Sequence, residues 1–143
     1  MSFSQIFMFN PAASVAVLGL MAYFLGVAVV FITKPIPNAK SFSMQPVDNA
    51  GKTEIRVYYG GISLSLAVFL GVLFAFNQTM LGLIAGLCFS NAVFFIRFIF
   101  TFVDKGWKCP YTKLAIPCEG LFIVALWSCF IAAAVMGKPI IGW

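Results

Sequence analysis

Charged residues are scarce in this sequence. Asp, Glu, Lys and Arg make up 9% of its 143 residues, against about 25% in a soluble domain. Apolar residues of the AVILMFWYC set make up 62%, and the mean hydropathy is +1.03. Such a chain cannot cover its own surface with polar groups, so lipid is its expected solvent. The composition excludes a soluble globular domain, a disordered tail and a nucleic-acid-binding module, so nucleic acid is not an expected partner.

Histidine is absent from the chain, and its acidic residues number only 4. The chain alone therefore lacks the commonest metal ligand and general base, which excludes a His-ligated haem and a carboxylate–histidine di-iron site. No two cysteines form a CxxC pair, which excludes a zinc knuckle and a CxxC redox motif. We expect no enzyme, no metal site and no cofactor of the chain's own, although the chain can bind lipid. A thiol enzyme using Cys109 or Cys118 beside nearby lysines is an alternative.

Four apolar runs are each long enough to cross a membrane of about 30 Å at the rise of an α-helix. They predict an all-α integral membrane four-helix bundle with short loops, forming a single domain over residues 1–143. The helices are expected at about residues 13–32, 55–76, 80–102 and 116–136. The leader before the first run has no Lys or Arg, so that run is expected to be a membrane helix and not a cleaved signal peptide.

Basic residues lie mostly on one side of the predicted domain. Four spans place both termini on one side and the loops 33–54 and 103–115 on the other. The loop side carries Lys34, Lys40, Lys52, Lys105, Lys108 and Lys113, and the terminal side only Lys138. This bias predicts cytoplasmic loops and outside termini. In that orientation Cys109 and Cys118 stay reduced, whereas the inverted topology would make them the candidate disulfide pair.

Polar and small residues recur on common helix faces, and the charged ones among them lie near the loop side. On the third predicted helix, steps of three, four or seven residues connect Gly82, Gly86, Ser90, Arg97, Thr101 and Asp104. Gly82 and Gly86 form a GxxxG that permits close helix approach, and Gly60 and Gly61 are the corresponding packing candidates on the second helix.

An unpaired charge in the membrane is costly, so the charged residues on these faces are expected to pair. We hypothesise an Arg97–Glu119 ion pair, with Glu54, Arg56 and Asp104 completing a network. Three interpretations of the cluster remain open: a clasp that fixes the helices, a site for a small molecule or lipid headgroup, and a transport path.

Aromatic residues make up 17% of the chain, and 17 residues are Phe. Phe95, Phe98 and Phe102 fall away from the polar stripe of the third helix, so they are expected to face lipid or a partner subunit. Trp107 and Tyr111, together with Tyr58 and Tyr59, are expected to anchor the charged end at the membrane interface.

Several short motifs resemble the DUF4345 family of small bacterial membrane proteins. They are Glu54-Ile-Arg56-Val-Tyr-Tyr-Gly60-Gly61, Arg97, Asp104-Lys-Gly106 with the nearby Pro110, and Glu119-Gly120. The resemblance covers about residues 10–136, and the long proline-bearing linker after the first helix departs from it. It implies a four-helix relative of DoxX-type proteins in the bacterial inner membrane, with no established activity.

Two functions follow from these observations. The first is a non-catalytic accessory or structural subunit that packs through its helices against other membrane protein subunits and lipids. The alternative is a standalone bundle that binds or transports a small molecule or lipid through Glu54, Arg97 and Glu119. An accessory subunit should bury an outer helix face in a partner, and a transporter should hold a hydrated pocket among its helices.

Overall fold

The structure is a computed structural model that describes residues 10–108 and 110–135. Within these residues the chain is all-α, without strands, and four helices are long and apolar enough to cross a membrane. This is the architecture of a multi-pass membrane protein. In chain order the helices are α1 (Pro11–Thr33), α2 (Pro35–Ser41), α3 (Asn49–Ala75), α4 (Thr79–Val103) and α5 (Pro110–Val135), with a 3₁₀ turn at Gly106–Lys108 before α5.

The chain divides into two compact units. One unit is Leu18–Val72, which contains most of α1, all of α2 and most of α3. The other joins the described residues up to Val17 to the described residues from Leu73 onward, which contain α4 and α5. The expectation of a single domain over 1–143 stays a prediction.

In the unit Leu18–Val72, α1 and α3 pack closely against each other. A Cβ atom at Gly71 would lie 3.3 Å from the Cε of Met21, and one at Gly60 would meet Ile32. Gly60 lies within a π-helical turn at Arg56–Gly61, which interrupts the otherwise α-helical α3. The buried apolar residues of this unit are Leu20, Phe24, Ala28, Phe31, Ala39, Ala67 and Leu70.

The second membrane helix begins at Asn49, ahead of the predicted Ile55. Asp48 is its N-cap, and the Asp48 Oδ1 accepts a hydrogen bond from the backbone N–H of Gly51 at 2.8 Å. This carboxylate satisfies one of the donors that every helix N-terminus leaves open. The polar segment 49–54, predicted to belong to the linker, is therefore the first part of α3.

The connection between α3 and α4 is a tight turn at Asn77, in the gap between the predicted helices 55–76 and 80–102. Asn77 has a φ of 60°, in the left-handed region that asparagine tolerates. Its N–H bonds to the Phe74 carbonyl at 3.0 Å, and the Gln78 N–H bonds to the Leu73 carbonyl at 2.8 Å. These two bonds form a Schellman motif that ends α3 and reverses the chain.

In the unit that contains α4 and α5, these two helices make the most extensive contact with each other. The buried face of α4 comprises Thr79, Gly82, Leu83, Gly86, Leu87 and Thr101, so much of the predicted stripe is the packed face. The helix α5 begins at Pro110 and contains Pro117 in its interior, whereas the sequence pattern placed its start at residue 116. The predicted end at 136 lies outside the described residues.

Candidate functional site

Arg97 and Glu119 form an ion pair between α4 and α5. The Nε–H of Arg97 donates to both carboxylate oxygens of Glu119, and each N–O distance is 2.9 Å. This is the pair hypothesised from the sequence. It is the only ion pair within 4.0 Å that the described part of the chain contains.

The pair lies below the ends of the helices that hold it. Arg97 comes six residues before Val103, the last residue of α4, which corresponds to about 9 Å along the axis. The two side chains retain 30% and 27% of their accessible surface. Pairing lowers the cost of placing each charge at this depth, and the partial exposure leaves the pair reachable from outside the helices.

The Tyr111 ring also contacts the Arg97 guanidinium. Its ring centroid lies 5.4 Å from the Arg97 Cζ, within the range of a cation–π contact. Tyr111 is in the first turn of α5, and Glu119 lies two turns further along the same helix. One helix therefore supplies both an anion and an aromatic face to Arg97, and two contacts restrict its orientation.

Asp104 lies at the C-terminal end of α4, where it is the C-cap residue and is exposed. Its backbone N–H bonds to the Phe100 carbonyl at 2.9 Å. Among the residues described, its carboxylate makes no ion pair. The structure therefore places Asp104 on the same element as Arg97 without joining it to the Arg97–Glu119 pair.

Glu54 and Arg56 belong to the other unit. Glu54 is exposed, and no ion pair of the described residues includes it. The Nε–H of Arg56 donates to the backbone carbonyl of Ile32 at 3.0 Å. That carbonyl is in the last turn of α1, so Arg56 caps the helix C-terminus with a positive charge. The wider network that would include Glu54 and Arg56 stays a prediction.

The four glycines predicted for helix packing differ in their surroundings. Gly60 is buried, and a Cβ there would lie 2.7 Å from the Ile32 Cγ1. A Cβ at Gly61 would meet nothing closer than the Arg56 carbonyl oxygen at 3.9 Å. Gly82 and Gly86 are both buried on α4. Close approach is thus found at Gly60, and Gly61 is not a contact point.

A stack of three aromatic rings adjoins Gly60 in the unit Leu18–Val72, and the sequence pattern did not identify it. The centroids of Phe31 and Tyr59 are 5.0 Å apart, and those of Phe31 and Phe42 are 5.6 Å apart. The Tyr59 hydroxyl also lies 3.6 Å from the Met44 sulfur. Tyr59, expected as a membrane-interface anchor, therefore also packs the segment after α2 onto α3. No local spacing signals this, because the rings come from three separate segments.

No cluster of three or more His, Cys, Asp or Glu residues that could hold a metal occurs in residues 10–108 and 110–135. Cys88, Cys118 and Cys129 are free thiols. Cys109, the other member of the candidate thiol or disulfide pair, lies outside the described residues.

Comparison with protein-family models, with curated protein sequences and with solved structures finds no match for this chain. The resemblance to the DUF4345 family therefore rests on the motifs alone and stays a prediction.

Proposed function

We propose that the protein is a non-catalytic accessory or structural subunit that packs through its membrane helices within a larger membrane complex. The observation that carries the proposal is the outer surface of the α4–α5 pair. Only 17% of the membrane-spanning part of α4 and 11% of that of α5 are buried within the chain, against 33% for α1 and α3. These two helices have the most surface left to contact other molecules.

An ordered row of aromatic rings lies on α4 and the turn after it. Phe94 stacks on Phe98 with centroids 5.9 Å apart, Phe98 meets Phe102 at 5.0 Å, and Phe102 meets Trp107 at 5.8 Å. Phe98, Phe102 and Trp107 are all exposed. Rings already held by their neighbours lose little freedom when a partner covers them, which favours protein contact over loose lipid contact.

Small residues on α5 add a second feature that suits a protein partner. Ala125 and Ser128 are exposed, and Cys129 and Ala132 are partly exposed. The pairs Ala125–Cys129 and Ser128–Ala132 each have the small-xxx-small spacing that lets two membrane helices approach closely. Lipid tails gain nothing from such spacing, whereas a partner helix packs on it.

The finer features of the proposal come from the sequence. The four spans form a bundle in the bacterial inner membrane, both termini are outside, and the loops 33–54 and 103–115 are cytoplasmic. The motifs that resemble the DUF4345 family support this setting. We extend the proposal to membership of that family.

Native mass spectrometry of the particle, extracted gently from its own membranes, tests the proposal. A mass far above 15.6 kDa, with other polypeptides in fixed ratio, is the expected result. Ala125→Leu should release those polypeptides, because the larger side chain fills the small-residue surface of α5. Ala22→Leu, the same change at an exposed alanine of α1, is the matched control and should retain them. A monomer or a homo-oligomer of this chain alone would contradict the proposal.

One observation favours the alternative, a standalone bundle that binds a small molecule or lipid. The Arg97–Glu119 pair is partly exposed, so a polar ligand can reach it. The same extraction discriminates the two functions, because the alternative predicts a particle that contains this chain and a small ligand only.

A further inference from the structure

The Arg97 guanidinium uses only part of its hydrogen-bonding capacity. It carries five N–H donors, and its two hydrogen bonds to Glu119 both come from the Nε–H. No residue of the described chain accepts a hydrogen bond from Nη1 or Nη2. The only buried side-chain polar atom without a partner in that part of the chain is the Ser14 Oγ, so the Nη atoms are accessible.

The accessible edge of Arg97 is held in a restricted orientation. Glu119 contacts the Nε side of the guanidinium, and the Tyr111 ring lies 5.4 Å from its Cζ. The Nη edge is a planar pair of donors, a geometry that matches two oxygens of a phosphate or carboxylate. Because the protein already fixes the plane, little side-chain freedom remains to be lost on binding.

The surroundings of Arg97 favour an anion at the membrane interface. The aromatic residues Trp107 and Tyr111 lie in the connection that follows α4 and in the first turn of α5. Side chains of these types are enriched at the headgroup level of membranes. Lys105, in the connection, and Lys113, in the first turn of α5, are exposed. A lysine near the membrane surface attracts anionic lipid.

We propose that Arg97, positioned by Glu119 and Tyr111, binds the phosphate group of an anionic phospholipid through its Nη edge at the contact between α4 and α5. The acyl chains of this lipid would lie along the apolar outer surface of these helices. The inference is independent of the accessory role, because a subunit and a standalone protein can both hold a structural lipid.

Native mass spectrometry of the full chain, delipidated in detergent and titrated with single lipids, tests this site. The probes are phosphatidylglycerol, zwitterionic phosphatidylcholine and a phosphate-free glucosyl diacylglycerol. Wild-type protein should retain one phosphatidylglycerol most strongly and the glycolipid most weakly. Equal retention of the three lipids overturns the proposal without any variant being needed.

Two variants test whether the Nη edge of Arg97 binds the phosphate group. Arg97→Lys keeps the positive charge beside Glu119 but removes the planar pair of donors, and should weaken phosphatidylglycerol binding about tenfold or more. Lys113→Gln, the control for general charge attraction, should weaken it by about twofold or less. Unchanged binding by Arg97→Lys, or an equal loss in both variants, would overturn the assignment.

Competition with inorganic phosphate distinguishes the two sources of the phosphate group. If the headgroup and the acyl chains act together, millimolar phosphate should leave the bound lipid in place. If phosphate displaces the lipid from the wild-type protein but not from Arg97→Lys, Arg97 binds phosphate and the ligand is a soluble anion.

Discussion

Gly60 of α3 lies directly against Ile32 of α1. A Cβ atom built at Gly60 would be 2.7 Å from the Ile32 Cγ1 and 3.3 Å from the Ile32 backbone nitrogen. The backbone nitrogen cannot rotate away as a side chain can. The Arg56 side chain bonds to the carbonyl of the same Ile32, so the contact between the two helices is held at two neighbouring points.

Gly60→Ala should lower the stability of the protein by about 1–3 kcal/mol, because overpacking forces the two helices apart. Gly61→Ala is the matched control. Its Cβ would meet nothing closer than 3.9 Å, and alanine is the better helix former by up to about 1 kcal/mol. Unfolding by SDS in mixed micelles measures both variants. Equal stability of the two would contradict the close approach at Gly60.

Removing one member of the Arg97–Glu119 pair should lower the free energy of unfolding. An exposed ion pair contributes about 0–1 kcal/mol to stability, and breaking a buried one costs about 3–5 kcal/mol. Because this pair is partly exposed, we expect a loss of about 1–3 kcal/mol for Arg97→Gln or Glu119→Gln alone. The double variant should lose less than the sum of the two single losses. SDS unfolding of all four proteins gives the coupling energy.

The matched control is a second double-mutant cycle that pairs Lys113→Gln with Glu119→Gln. Lys113 makes no ion pair with Glu119 among the described residues. Losses for Lys113→Gln and Glu119→Gln should add. Additive losses for Arg97 and Glu119 as well would show that the observed contact contributes nothing to folding.

The features predictable from the sequence are those with a local signal. Each of the four membrane-spanning helices contains a long apolar run, which lipid can accommodate only as a helix. Arg97 and Glu119 were predictable as a pair because few opposite charges exist at this depth to compensate each other. The turn at Asn77 was predictable because asparagine is one of the few residue types that tolerate the left-handed backbone conformation found there.

Features that depend on polar or distant residues were not predictable in this way. The start of α3 precedes its apolar run, and only the Asp48 cap signals it. Two prolines of α5, Pro110 and Pro117, suit a helix start equally well. The structure begins the helix at the first and places the second inside it. The interaction of Arg56 with the Ile32 carbonyl joins residues 24 apart, and no periodicity connects them.

Asp48→Ala should destabilise the start of α3 by about 1 kcal/mol, because the Gly51 N–H loses its acceptor. Asp48→Asn keeps a hydrogen-bond acceptor at the same position, so its loss of stability should be only a fraction of that of Asp48→Ala. Asp104→Ala is the matched control: its carboxylate lies at a helix C-terminus, where a negative charge is slightly unfavourable. Thermal unfolding followed by circular dichroism measures the three variants. A larger loss for Asp104→Ala than for Asp48→Ala would contradict this assignment of the cap.

The orientation predicted from the positive-inside bias implies opposite reporter results at two fusion points. Alkaline phosphatase fused after residue 143 should be active, because the C-terminus is expected outside. The same enzyme fused after Lys105, within a predicted cytoplasmic loop, should be inactive, and green fluorescent protein should give the reverse pattern at both points. An active phosphatase at Lys105 with an inactive one at residue 143 would overturn the positive-inside assignment.

Ser14→Ala should stabilise the protein. The Ser14 side chain is fully buried, and its hydroxyl has no hydrogen-bond partner in the described chain. An unsatisfied buried hydroxyl lowers stability by about 1–3 kcal/mol. Alanine removes that cost and leaves a cavity no larger than one oxygen atom. We therefore expect Ser14→Ala to raise the free energy of unfolding by about 1 kcal/mol. Ser128→Ala is the matched control. Its exposed hydroxyl bonds to the Val124 carbonyl at 2.8 Å, and its loss should change stability by about 0.5 kcal/mol or less. SDS unfolding compares the two variants. A loss of stability in Ser14→Ala would contradict this prediction, because it would mean that the Ser14 hydroxyl donates a hydrogen bond to a bound molecule or to another part of the chain.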